Sequence, residues 1–222
     1  MIKMPDNFIA SLASLVFPHY CPECTAEMPS GDGWACASCW RRLGRAGKGH
    51  WSGRTLNQNR VFVAFHYGDL ARQLVHQMKF YGRRDVAVRL GGYAAEHLLL
   101  GGVAWPVTAI VPVPLHPVRI RERGYDQNLM LARGVAKATG LPVRTDLVRR
   151  IRHTRAQSKL SDKERLVNLK GAFEPKSAPK ETIPSSILLV DDVIHTGATI
   201  CGCIEAIEKH GQIEIGVLAA CG

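Results

Sequence analysis

The 222-residue chain has no apolar run near the ~20 residues needed to cross a bilayer, its longest reaching about 10, so it is expected not to insert into a membrane. Aromatic residues are few, at 7%, which favours backbone contacts over base stacking for any nucleic-acid partner. No Gly-x-x-x-x-Gly-Lys-Ser/Thr run is present, and no intact Gly-x-Gly-x-x-Gly follows a strand; P-loop and dinucleotide-binding readings therefore have no support. Repeats are absent, and 46% apolar with 22% charged residues excludes disorder and collagen-like architecture. Carboxylates are outnumbered, 19 Asp+Glu against 29 Lys+Arg, for a net charge of +10 and a pI near 9.5. That balance favours an anionic partner, either a phosphorylated metabolite or nucleic acid.

What is present is unevenly placed. Residues 141 to 170 hold nine basic and three acidic side chains, whereas residues 171 to 222 hold three basic and seven acidic. A diffuse solubilising charge would not be sorted this way. Four of the seven cysteines fall in the first 40 residues. The apolar segment before them, Asn7 to Phe17, lacks a strongly basic flank and a small-residue cleavage site, and reads as a short helix rather than a signal peptide. An odd cysteine total without a signal peptide predicts a reducing, cytoplasmic setting.

Cys21-x2-Cys24-x11-Cys36-x2-Cys39 has paired knuckles at a spacing that lets four thiolates converge on one tetrahedral zinc ion. A segment with so little apolar material cannot fold on hydrophobic burial alone, and a structural zinc supplies the missing stabilisation. Four cysteines close the coordination shell, so no catalysis is assigned there. Redox CxxC pairs are the alternative. Cys201, Cys203 and Cys221 read as buried free thiols.

Gly44 to Gln58 reads as a Gly-, Ser- and basic-rich linker, which puts a boundary near residue 58 between a zinc-ribbon domain with a leading helix (1–58) and a larger domain (59–222). In the larger domain, Val61–Phe65 reads as a strand, Leu70, Leu74, Val75 and Met78 recur at helical spacing, and a second helix covers Asp85 to Leu100. Val107 to Pro114 is an apolar strand stopped by prolines, and Gln127 to Thr139 is a helix ended by Gly140. Ile187–Val190 and Ile213–Ala220 are further apolar strands, with a helix from Ala198 to Lys209 between them. Buried strands alternating with helices predict an α/β fold with a parallel sheet covered on both faces.

The run Ile187-Leu-Leu-Val-Asp-Asp-Val-Ile-His-Thr-Gly-Ala-Thr199 is the most informative. An apolar strand delivers Asp191 and Asp192 to its carboxyl end, where ligands of open α/β sheets bind, and this end is expected to face solvent. His195, Thr196, Gly197, Ala198 and Thr199 then form a small-residue turn opening a helix. Its N–H groups and hydroxyls suit one phosphate. Vicinal hydroxyls beside a phosphate, as in ribose 5-phosphate, would satisfy both halves.

This run resembles the loop of type I phosphoribosyltransferases that binds phosphoribosyl pyrophosphate (PRPP). Pro112 to His116, followed by Arg119, Arg121, Arg123, Gly124, Tyr125, Gln127 and Asn128, resembles the ComF competence-protein family. So do Gln157, Leu160, Arg165, Asn168 and Gly171 to Phe173, and so does the four-cysteine ribbon. Asp126 departs from the Asn expected in that family. The resemblance implies a type I phosphoribosyltransferase fold binding Mg2+ with PRPP. Asp191 and Asp192 are then the catalytic pair on the ribose hydroxyls, residues 195 to 199 hold the 5-phosphate, and Arg119, Arg121, Arg123 and Gly124 hold the pyrophosphate. Lys79 is implied on the phosphate side. The resemblance also implies a role in DNA uptake, with single-stranded DNA and competence-machinery proteins as partners; a metabolic phosphoribosyltransferase acting on a base or amine is the alternative. No residue identifies the acceptor nucleophile. Arg149, Arg150, Arg152 and Arg155 crowd one segment that could track DNA phosphates or close over pyrophosphate.

Overall fold

The computed structural model describes residues 19–28, 34–46, 50–56, 59–101, 106–153, 171–179 and 182–222. The chain divides into two compact units, Met1–Ala46 and Gly47–Gly222. The helix expected over Asn7–Phe17 lies outside the described residues.

In the first unit, β1 (His19–Tyr20) and β2 (Glu27–Met28) pair antiparallel around a knuckle. The Cys21 N–H donates to the Ala26 carbonyl, and the Thr25 N–H to the Cys21 carbonyl. Helix α1 (Ala37–Ala46) follows the second knuckle. Among the described residues of this unit, Cys21, Met28, Ala35, Cys39, Trp40 and Leu43 are buried.

The second unit is a five-stranded sheet in the order β3-β4-β9-β8-β5, formed by β3 (His50–Leu56), β4 (Asn59–Phe65), β5 (Ala109–Pro112), β8 (Ser186–Val193) and β9 (Glu214–Cys221). The last four strands run parallel, and β3 pairs antiparallel with β4 at one edge. The stretch read as a linker therefore contains a strand, and the division falls after Ala46 rather than near 58. Gly53 and the polar residues around it hide that strand, and its register is irregular between Trp51 and Thr55.

Helices α2 (Asp69–Phe80), α3 (Arg84–Leu100), α4 (Pro117–Arg123), α5 (Gln127–Thr139) and α6 (Ala198–Ile207) complete the fold, with a small antiparallel pair, β6 (Val148–Arg150) and β7 (Phe173–Pro175). Strand pleating sends alternate residues to opposite faces. Val61, Val63, Val111, Ile187, Leu189, Ile215 and Val217 join one core with α6, Leu147 and Phe173. Phe62, Ala64, Ile110, Leu188, Val190, Leu218 and Ala220 are buried as well, and α3 and α5 pack against the sheet. Continuous apolar strands follow from burial on both faces. Helices α3 and α5 touch backbone to backbone: a Cβ on Gly91 would lie 2.0 Å from the Leu131 carbonyl oxygen, and one on Gly134 would lie 1.9 Å from that of Val88.

Candidate functional site

Strand β8 ends in Asp191 and Asp192, and pleating turns the two side chains to opposite faces. Asp192 accepts from Lys79 Nζ at 3.0 Å and from Gln127 Nε2 at 3.1 Å. Asp191 accepts from Asn128 Nδ2 at 2.9 Å and from the Asp192 backbone N–H at 2.9 Å. Asn128 also donates to the Val113 carbonyl, which ties the end of β5 to the end of β8. Gln127 and Asn128 are placed by the start of α5, where Asp126 is the N-cap and accepts from the Leu129 N–H at 3.0 Å. Asp126 is thus a helix cap, a task an aspartate performs as well as an asparagine.

The solvent-facing strand end expected from the sequence is corrected here. Asp191 is 7% and Asp192 5% exposed, because α2 and α5 bring Lys79, Gln127 and Asn128 over them. Burial, reinforced by the charge of Asp192, pushes the Asp191 carboxyl up to about 7, with Lys79 and the two N–H donors opposing.

Two guanidinium groups couple to the pair. Loss of water lowers both Arg123 and Arg150; Asp192 supports the charge of Arg123 and Asp191 that of Arg150, while Arg119 repels both. Arg123 Nη1 is buried without a hydrogen-bond partner. Arg119 pairs with Glu122 at 2.8 Å, and Arg121 is exposed on α4. Helix α4 begins with Pro117 in the first turn and His116 as N-cap, the His116 Nδ1 accepting from the Val118 N–H. His116 stacks on His153, and burial, with nearby His153, Arg150 and Arg121, holds the His116 ring below its usual range. Gly124 ends α4 at φ 74, and its carbonyl accepts from Arg84. The Tyr125 hydroxyl donates to the Met78 carbonyl at 2.5 Å, locking this turn to α2.

Beyond the carboxylates, residues 193 to 200 and Asp191 line an open concavity of about 210 Å3. Gly197 adopts φ 79 as N-cap of α6, and Thr196 Oγ1 accepts from the Ala198 N–H. The turn presents the first N–H groups of a ten-residue helix beside two carboxylates, which suits an anion attached to a polyol.

Of the four arginines read as a DNA track or a lid, Arg149 and Arg150 face different partners. Arg149 pairs with Glu174, and Arg150 lies over the Phe173 ring at 5.4 Å on the side of Asp191. Arg152 is exposed, and Arg155 lies outside the described residues. The alternation of β6 accounts for the split, since neighbours on a strand face opposite ways. Lys79, read as a phosphate-side residue, meets Asp192 in the free protein. The sequence reading assigned no role at the site to Gln127, Asn128, Tyr125, His116 or His153. A polar Gln-Asn pair directly after an N-cap, at the start of an otherwise apolar helix, was the available signal.

The four N-terminal cysteines gather with their sulfur atoms within 4.8 Å of one another. Cys21 and Cys39 Sγ lie 3.7 Å apart, and those of Cys24 and Cys36 3.6 Å. Four sulfurs at about 2.3 Å from one ion stand about 3.8 Å apart in a tetrahedron, so the donor set fits zinc. The Cys36 N–H points at Cys21 Sγ, and Arg42 reaches both Cys39 Sγ and Glu23.

Residues 126–222 match the phosphoribosyl transferase domain family, and this stretch contains both carboxylates, the anion turn and the Gln127–Asn128 pair. Competence protein F of Haemophilus influenzae is 38% identical over 109 residues, covering 49% of this chain and 48% of that protein. The similarity to competence protein F is thus confined to about half of each chain. The chain is also similar to DNA utilization protein YhgH of Salmonella typhi, at 31% identity over 67% of this chain and 65% of that protein. Competence protein ComFC of Bacillus subtilis is 27% identical over 87% of this chain and 73% of that protein. The chain thus spans about half to two thirds of the first two of these competence F and YhgH relatives. Among solved structures, orotate phosphoribosyltransferase of Mycobacterium tuberculosis overlays with a TM-score of 0.37 at 15% identity, covering 82% of this chain and 81% of that one. Among the described residues, no helix is long and apolar enough to cross a membrane.

Proposed function

We propose that this chain binds PRPP at the carboxyl edge of its sheet and acts in DNA uptake in the cytoplasm, alongside competence-machinery proteins. The observation that carries the reading is the buried carboxylate pair ending β8 immediately ahead of the anion turn at 195–199. Asp191 and Asp192 would take the vicinal hydroxyls of the ribose and stabilise positive charge developing at C1′. Thr196, Gly197, Ala198 and Thr199 would take the 5-phosphate. Arg119, Arg121, Arg123 and the Gly124 turn would take the pyrophosphate, with Arg150 adding a guanidinium from β6. Lys79 holds Asp192 in the free protein, so ribose binding shares or displaces that ammonium.

Both carboxylates are already engaged by N–H donors, which fits a Mg2+ ion held on the ligand's own oxygens and water rather than in a protein cage. Its contribution there is to neutralise the departing pyrophosphate. With an acceptor bound, the C1′–pyrophosphate bond breaks as the nucleophile bonds to C1′. A base or amine acceptor would make the chain a metabolic phosphoribosyltransferase, and turnover with a panel of acceptors separates this second reading from the first. Single-stranded DNA is the other ligand of the first reading, its phosphates drawn by the basic excess of residues 141 to 170. The relatives' names, competence protein and DNA utilization protein, support that assignment.

Titration calorimetry tests the PRPP site. The wild-type protein binds Mg2+-PRPP, and Asp191→Asn with Asp192→Asn lowers the affinity at least about tenfold, each charge-assisted hydrogen bond being worth roughly 1.5–3 kcal/mol. Unchanged affinity in the double variant overturns the assignment.

A further inference from the structure

Helix α2 ends in an exposed aromatic group that the PRPP site does not use. Its inner face is fixed by Ala71, Leu74, Val75 and Met78, so Phe80 and Tyr81 point outward, 67% and 63% exposed. His76, one turn earlier, joins them with ring centroids 4.6 Å from Phe80 and 5.6 Å from Tyr81. Two large neighbouring rings left this open are unusual in a chain with so few aromatics. Between Asp69 and Arg89 the sequence carries five Lys and Arg against two Asp, and the exposed residues near them include Arg72 and Arg84. A protein partner seated by hydrophobic burial would be poorly served by that rim, whereas open π-faces in a cationic surround are what unpaired bases on a phosphate backbone require.

The group is also tied to the site. Lys79, the residue before Phe80, reaches Asp192 at 3.0 Å, and the Met78 carbonyl accepts from Tyr125. Arg84, just past the turn at Gly82, lies over the Tyr125 ring at 5.4 Å. The rings therefore stand on a helix end that Lys79 and the Tyr125–Met78 bond tie to the carboxylate site.

We infer that Phe80 and Tyr81, with His76, form a platform on which unpaired bases of single-stranded DNA stack beside the carboxylate site. The inference rests on the reading of the chain as a single-strand binder and adds base contacts to the phosphate contacts read for the Arg149–Arg155 segment. It also departs from what the low aromatic content suggests, because two rings suffice when both are exposed and adjacent.

Fluorescence anisotropy with labelled oligo-dT and the full zinc-loaded chain tests it. Phe80→Ala with Tyr81→Ala weakens binding about tenfold or more while leaving the salt dependence of affinity unchanged, since stacking releases no counterions. An abasic strand of the same length binds the wild type as weakly as oligo-dT binds the double variant. Equal oligo-dT affinity in the two proteins, or an abasic strand bound as tightly as oligo-dT, overturns the platform, as does a wild type that binds no DNA at low salt. Calorimetry with PRPP on the double variant gives the wild-type affinity. Loss of PRPP binding in the wild type itself would count against the transferase site and leave the platform standing.

Discussion

Asp191 sits under opposed electrostatic demands. Its carboxyl starts from 3.8 in the unfolded chain and titrates near 7 in the fold, because burial and Asp192 outweigh Lys79. Above the unfolded value the unfolded chain gives up this proton while the fold retains it. The stability tied to this group is therefore fully present at acid pH and is lost as pH rises through about 7. Asp191→Asn keeps an oxygen to accept from Asn128 and the Asp192 N–H while removing the charge. The melting temperature of that variant is expected to gain on the wild type between about pH 4 and pH 7, followed by thermal melts across the range. A difference that stays flat with pH would mean that the carboxyl ionises as freely as in water. The Asp-Asp pair and the turn behind it were legible because both lie in one continuous run. Their burial was not, since Lys79 and Gln127 come from helices far away in the chain.

At the scale of elements, the joint between α3 and α5 is the most constrained. Gly91 and Gly134 leave no room for a methyl group, so the helices meet on their backbones. Gly134→Ala must push them apart and should cost about 3 kcal/mol or more, read from urea unfolding. The first turn of α5 carries Gln127 and Asn128, so a shift of the helix should also weaken PRPP binding. A fully stable Gly134→Ala protein would mean that the interface yields more than its geometry allows. Helix α5 itself was readable to the residue, Gln127 to Thr139 with Gly140 at φ 75 as its stop. Helix α4 was not read at all. Its seven residues carry four charges and no buried face, so periodicity had nothing to register, and only Pro117 after His116 marked its start. The β6–β7 pair escaped for another reason: its partners are 3 residues each and lie far apart in sequence.

The whole molecule is two units of unequal self-sufficiency. The larger has a sheet buried on both faces, whereas the described residues of the smaller include six buried apolar ones, two of them from the four-cysteine cluster. Zinc should therefore be a condition of folding for the small unit. Protein purified without added metal is expected to carry about one zinc per chain, and chelation should abolish the β1–β2 pair and helix α1 while the sheet unit melts as before. Less than about a third of a zinc per chain, or Cys21–Cys24 and Cys36–Cys39 found as disulfides, would refute this. The cysteine spacing made the cluster legible from the sequence, while the edge strand His50–Leu56 hid in a stretch with the composition of a connector. The divergence of Asp191 and Asp192 at the end of β8 has a mechanical meaning as well. One carboxylate looks toward Arg150 and Cys203, the other toward Lys79 and Gln127. A molecule that grips both pulls on the two sides of the sheet at once. The strand end is a mechanical junction, and because neighbouring residues Gln127 and Asn128 hold one carboxylate each, tension applied at either side reaches the first turn of α5.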